Sequence, residues 1–158
     1  MREYCKILET DEGWIGYRGS ERGIRKLFLP LTSREKLLSR YGLSDENASG
    51  LRVLDNLLTE YFIGDEADFS KIRLDLSEVP EFHKRVYDET REIPYGETKT
   101  YGEIARSIGS PNAARAVGNA LRLNPLPIIV PCHRVLGSNN LGGFTPSLEM
   151  KKRLLRLE

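Results

Sequence analysis

The 158-residue sequence predicts a small α/β domain, a short sheet plus helices, followed by a mainly helical domain built on a winged-helix-like helix-turn-helix. Three observations carry that expectation. Short apolar runs punctuated by glycines open the chain, as hairpins would. Apolar residues then recur at helical spacing. Farther on, two helix-start signals stand close together with a glycine between them. The division is expected near residue 70, giving domains 1–70 and 71–158.

The strands are expected at Tyr4 to Leu8, Trp14 to Arg18 and Ile24 to Leu29, with Gly13, Gly19 and Gly23 at the turns. Thr32 with Glu35 reads as a capping box before Leu37 and Leu38. Leu51, Leu54, Leu58 and Phe62 share one helical face, and Gly64-Asp65 ends the pattern. Phe82, Val86 and Ile93 mark a further helix that stops at Pro94-Tyr95-Gly96. Thr100 and Glu103 form a second capping box, opening a short helix through Ile108. After Gly109, Ser110 reads as an N-cap with Pro111 at the first helical position. That helix is expected to reach Leu123 and stop at Asn124-Pro125. Its Ala113, Ala114, Ala116, Gly118 and Ala120 give a slim face, suited to DNA contact or to close helix packing. Leu126 to Val130 is apolar but contains Pro127 and precedes Pro131, so an edge or extended segment is expected. Leu136 to Ser147 reads as a loop or wing, and Ser147 as the cap of a last helix through Met150, Leu154, Leu155 and Leu157.

Composition excludes several classes. Apolar residues make up 39% and charged residues 30%, with no run long enough for a membrane span. The first residues hold no signal-peptide core, so an intracellular, cytoplasmic protein is expected. Two cysteines, Cys5 and Cys132, supply no disulfide framework. The net charge of +1 hides an asymmetry: residues 1–70 carry 10 basic and 13 acidic side chains, residues 71–158 carry 14 and 10. From Ile104 to Leu148 there is no acidic residue, while Arg106, Arg115, Arg122 and Arg134 all lie there. Such a stretch suits a phosphate backbone, and equally a core-rich segment with a few solvated arginines.

Pro131-Cys132-His133-Arg134-Val135 is the sharpest chemical feature. A thiol needs a base or a positive field to become the nucleophilic thiolate, and His133 and Arg134 are adjacent. Neighbouring side chains of an extended segment point to opposite faces, so direct Cys132–His133 contact needs a turn or a bridging water. A buried inert cysteine beside a histidine is the plainer alternative. Cys5, His83, Cys132 and His133 lack the paired spacings of a structural zinc site. A cysteine protease would draw on a distant histidine, for which only His83 is available.

Arg115-Ala116-Val117-Gly118, the run from Asn124-Pro125 through Val130-Pro131-Cys132-His133-Arg134-Val135, and Tyr101-Gly102-Glu103-Ile104-Ala105 upstream resemble the O6-alkylguanine-DNA alkyltransferase family. The resemblance spans about residues 80–158. It implies a helix-turn-helix DNA-binding domain and repair by direct reversal, in which an alkyl group moves irreversibly from O6-alkylguanine to the protein. It also makes Cys132 the nucleophile and acceptor, His133 the base acting through a water, and Glu158 the carboxylate behind that histidine. By the same resemblance Tyr101 protonates the departing guanine and Asn124 braces the active-site turn. Arg115 would fill the stack when the nucleotide flips, as chemistry on a stacked base requires. Ser110 and Ser138 would meet phosphates, and Gly102, Ala114, Leu121 and Arg122 would line the DNA groove. Val135, Phe144 and Thr145 would wall the base pocket.

The family's usual glycine pair after Thr145 is replaced by Pro146-Ser147, which bears on large alkyl groups. The resemblance implies double-stranded DNA carrying O6-alkylguanine as partner; no cofactor and no membrane are expected, the ligand count argues against a metal, and, with no sign of an oligomer in the sequence, a monomer is expected. The contrasting reading is a DNA-damage sensor or DNA-binding regulator that uses the same helices without transfer.

Overall fold

Two tight turns organise the first part of the chain in the computed structural model, which describes residues 2–43, 51–144 and 147–158. Strands β1 (Glu3–Thr10), β2 (Gly13–Ser20) and β3 (Gly23–Leu31) form an antiparallel sheet in the order β1-β2-β3. Gly13 and Gly23 follow the two hairpin turns at φ +128° and +133°, a region that side chains with a Cβ rarely adopt. Gly19 is not a turn residue. It lies inside β2 beside a register shift, where a Cβ would come within 2.7 Å of the Tyr4 hydroxyl.

The two faces of this sheet are covered by different helices. On one, α1 (Arg34–Tyr41) packs through Leu37, next to Phe28 and Leu43. A side chain at Gly16 would strike Leu43 at 2.8 Å, so the missing Cβ sets that close approach. On the other, Tyr17 is buried and donates its hydroxyl to Asp55 of α2 (Arg52–Phe62) at 2.6 Å. The cap of α1 is Ser33, whose side chain accepts from the Lys36 amide, rather than Thr32. Adjacent hydroxyl residues offer the same local chemistry, and the entry angle from β3 selects between them.

The first unit runs Met1–Leu76 and the second Ser77–Glu158. Residues 71–76 stay with the sheet because the Ile24 amide donates to Arg73 O and the Asp75 amide to Ile24 O, both at 2.9 Å.

The second unit is helical, as expected. It contains α3 (Glu81–Arg91), α4 (Tyr101–Ser107) and α5 (Ala114–Arg122), which pack on one another through Val86, Ile104, Val117 and Ala120, all fully buried. The Thr100–Glu103 capping box forms in both directions. Ser110 does not cap α5. Its carbonyl instead accepts from the Ala113 amide in a turn, and the helix begins three residues later than the sequence suggests, at Ala114. A parallel pair, β4 (Lys99–Thr100) with β5 (Val135–Leu136), carries the loop from Gly137 onward, and α6 (Leu148–Leu157) begins at the Ser147 cap. No helix of the described residues is long and apolar enough to cross a membrane.

Candidate active site

The segment after α5 is a tight turn rather than an extended run. Pro127 and Val130 bridge each other, and the Val130 amide donates to Leu126 O at 2.8 Å. Ile128 is held at φ 74°, costly for a β-branched side chain. Two constraints hold it there. Ile128 is only 2% exposed, so its burial favours this conformation. Asn124 staples the turn, donating to Val130 O and accepting from the Leu126 amide, both at 2.9 Å. Pro131 then leads into a 3-10 helix, Cys132–Arg134, so the cysteine and histidine sit on a turn and not on a pleated strand.

Behind this turn α6 delivers Glu158. One carboxylate oxygen meets His133 Nε2; the other accepts from Arg134 Nε at 2.8 Å and from the Gly96 amide at 3.1 Å. Arg134 also donates to Ile93 O at 2.7 Å, and Tyr95 donates its hydroxyl to Leu157 O at 3.1 Å. Burial pushes the Glu158 carboxyl up, but the His133 hydrogen bond and charge, with Arg134, outweigh it and hold it down at about 2. Burial lowers the His133 imidazole below its ordinary range, against the pull of Glu158. The pair therefore rests as carboxylate and neutral imidazole. An ionised carboxylate only accepts, so Nε2 carries the ring proton and the buried Nδ1 is the basic nitrogen.

Cys132 is 8% exposed. Burial raises its pKa, while the Asn124 side chain and the charge of Lys151 work in the opposite sense. The resting thiol is protonated, which guards it from stray electrophiles. Lys151 was not singled out by sequence reasoning. It lies within α6, fully buried, donating to Val135 O at 2.6 Å and to Gly143 O at 3.0 Å. Its ammonium stands 5.8 Å from the centre of the Tyr101 ring. Burial lowers its pKa to about 8, although the charge of Cys132 pulls the other way. One signal could have found it: Lys151 shares the apolar face of α6 with Leu154, where a solvated lysine would be out of place.

A hollow of about 740 Å³ opens in front of Cys132. Of the residues expected at the site, it is lined by Cys132, Tyr101 and Gly102, with Ala114, Arg115, Leu121 and Arg122 from α5. Ser138 and Phe144 complete that set from the loop after β5. Ser110 is half-buried and does not line the hollow. Val135 does not wall it either: its side chain is fully buried, and its carbonyl serves Lys151. Thr145 and the neighbouring Pro146 fall outside the described residues. Arg106 and Asn119 line the hollow and were not expected there. Tyr101 points its hydroxyl toward Gly143 O at 3.5 Å, and burial raises its pKa, so it stays a proton donor.

Residues 81–158 match the DNA-binding domain of 6-O-methylguanine DNA methyltransferase. A methylated-DNA–protein-cysteine methyltransferase of Methanosarcina acetivorans is 42% identical over 156 residues, covering 98% of this chain and 97% of that protein. The chain belongs to the methylated-DNA–protein-cysteine methyltransferase family. The family member of Mycobacterium leprae is 48% identical over 156 residues, covering 98% of this chain and 92% of that one. The crystal structure of the Mycobacterium tuberculosis O6-methylguanine methyltransferase superposes with a TM-score of 0.81 at 35% identity, covering 99% and 92% of the two chains. A structure of that organism's OGT in complex with DNA superposes at 0.80 and 34% identity, covering 98% and 91%. In this family member a protected thiol and a phenol line one hollow with three arginines, and a neutral imidazole held by a carboxylate is buried next to the thiol in the same turn.

Proposed function

We propose that this chain repairs DNA by taking the alkyl group from O6-alkylguanine onto Cys132, once and irreversibly. The observation that carries this reading is that Cys132 lines the hollow while the His133–Glu158 pair stands behind it. α5, with its small residues, lies along the minor groove, where width rather than base pattern is sensed. Arg115 enters the stack as the damaged nucleotide rotates into the hollow. Phe144 and Tyr101 meet the flipped base.

The thiol proton passes through a water to Nδ1 of His133, and Glu158 stabilises the imidazolium. The thiolate attacks the alkyl carbon as its bond to O6 breaks, and the electron pair leaves with guanine. Tyr101 donates a proton to that guanine, so in net terms the thiol proton ends on the base. The product is a thioether that no group at the site can reverse. Every proposed group lies within residues 77–158 of one copy, so the reading requires no second subunit, cofactor or metal.

The test is to incubate the protein with duplex DNA bearing O6-methylguanine and weigh it. A gain of one methyl on Cys132 is expected, with unmodified guanine left in the DNA. Tight binding with no change in mass would overturn transfer in favour of a damage sensor.

A further inference from the structure

We infer that Arg106 is a phosphate contact of this site, gripping the backbone of the damaged strand from the α4 side of the hollow. The inference rests on the reading above and adds a residue to it. Arg106 is exposed and lines the same hollow as Cys132, Arg115 and Arg122. No aspartate or glutamate lines that hollow. Among the described residues, none of these three arginines takes part in the ion pairs seen elsewhere in the fold. Three guanidinium groups around one cavity repel each other until an anion joins them.

The place of Arg106 narrows what that anion is. Arg115 and Arg122 belong to α5, the helix that follows the groove, whereas Arg106 belongs to α4 and stands across from it. Its guanidinium folds back over the preceding turn, with Nη1 3.7 Å from where a Cβ on Gly102 would be. That puts the charge beside bare backbone, next to Tyr101, which faces the departing guanine. A flipped base drags its own phosphodiester with it, and that phosphate stays within a few bonds of the base. A planar fork of donors suits a phosphate oxygen pair. Arg106 thus holds the strand at the lesion while Arg115 occupies the stack.

The experiment is a cycle of two changes. Arg106→Gln and wild type are compared on a duplex with one O6-methylguanine, with and without a neutral methylphosphonate at each phosphate flanking the lesion. Arg106→Gln is expected to lower duplex affinity about 5- to 10-fold near 0.1 M salt and to reduce the slope of log affinity against log salt by about 0.9. A methylphosphonate at one flanking position should weaken wild type by a similar factor and the variant not at all. Arg106→Lys should recover most of the salt slope. Transfer from the free base O6-methylguanine, which carries no phosphate, should fall by a smaller factor than transfer from the duplex. An unchanged salt slope, or fully additive losses at both flanking phosphates, would overturn the contact. Loss that varies with the neighbouring base sequence would overturn it in favour of base contact. If wild type itself failed to gain a methyl group, the parent reading would fall instead, which this design separates from failure of Arg106 alone.

Discussion

Glu158, at the end of α6, closes on His133 across 25 residues of chain and shares its other carboxylate oxygen with Arg134. Neither contact is local, so the reactivity of the turn depends on how well α6 docks.

Replacing that carboxylate should slow the cysteine. In Glu158→Gln the imidazole loses its anionic partner, and its capacity to hold the thiol proton falls. The rate of Cys132 alkylation by a small iodoacetamide probe should drop on the order of 10-fold near neutral pH, and the profile should move to higher pH. Superimposed profiles for the two proteins would mean that Glu158 takes no part in activating Cys132.

The same group ties stability to acid. The Glu158 carboxyl is held at about 2, below its ordinary 4.5. A lowered carboxyl pKa stabilises the fold above the unfolded value, and that contribution is lost as pH falls from about 4.5 toward 2, on the order of 2 kcal/mol. The lowered pKa of His133 acts in the same direction at higher pH, because the unfolded imidazole takes up a proton first. Thermal unfolding followed from pH 7 to pH 3 should show a steeper loss in wild type than in Glu158→Gln.

Lys151→Met tests the buried ammonium. Removing a positive charge near Cys132 should raise the thiol pKa further and leave less thiolate at neutral pH. The gap between variant and wild type should narrow above about pH 8, where Lys151 itself is losing its proton. The variant also leaves the buried carbonyl of Val135 without this donor, at about 1–3 kcal/mol, readable as a lower melting temperature. Identical thiol titrations would confine Lys151 to a structural role.

The nucleophile is tested by paired substitutions. Cys132→Ser should abolish transfer and keep duplex binding, because a hydroxyl has no accessible anion at neutral pH. Cys5→Ser should transfer as wild type does. Label found on Cys5 after reaction with alkylated DNA would refute the assignment.

Arg115→Ala separates flipping from chemistry. Repair of a duplex should slow on the order of 10-fold, since a flipped state must be held open there, while reaction with the free alkylated base should barely change. Equal losses on both substrates would remove Arg115 from the stack.

Much of this protein was legible from the chain because the signals are local. The three strands, the turns at Gly13 and Gly23 and the Thr100–Glu103 box depend on neighbours in sequence and form where expected, whereas Gly19 falls inside β2. Asn124 and Cys132 lie within one continuous run, Asn124 to Val135, so the resemblance to the family could be recognised before the fold was known. Local signals misled where two choices were close in energy. Ser33 caps α1 in place of Thr32, and Ser110-Pro111 makes a turn and not a helix start. Leu126 to Val130 folds tightly because buried Ile128 and the two Asn124 hydrogen bonds outweigh an unfavourable φ, a sum that no propensity contains. Only the tertiary structure decided the roles of Arg134, Lys151 and Arg106. Arg134 stands beside His133 in sequence yet turns to Glu158 and Ile93. Lys151 looks like one more surface lysine until α6 packs down and buries it. Arg106 acquires a meaning when α4 and α5 set it on one hollow with Arg115 and Arg122. The physical reason is common to all three: the field at a charged group is set by whatever surrounds it in space, and most of those surroundings come from distant parts of the chain.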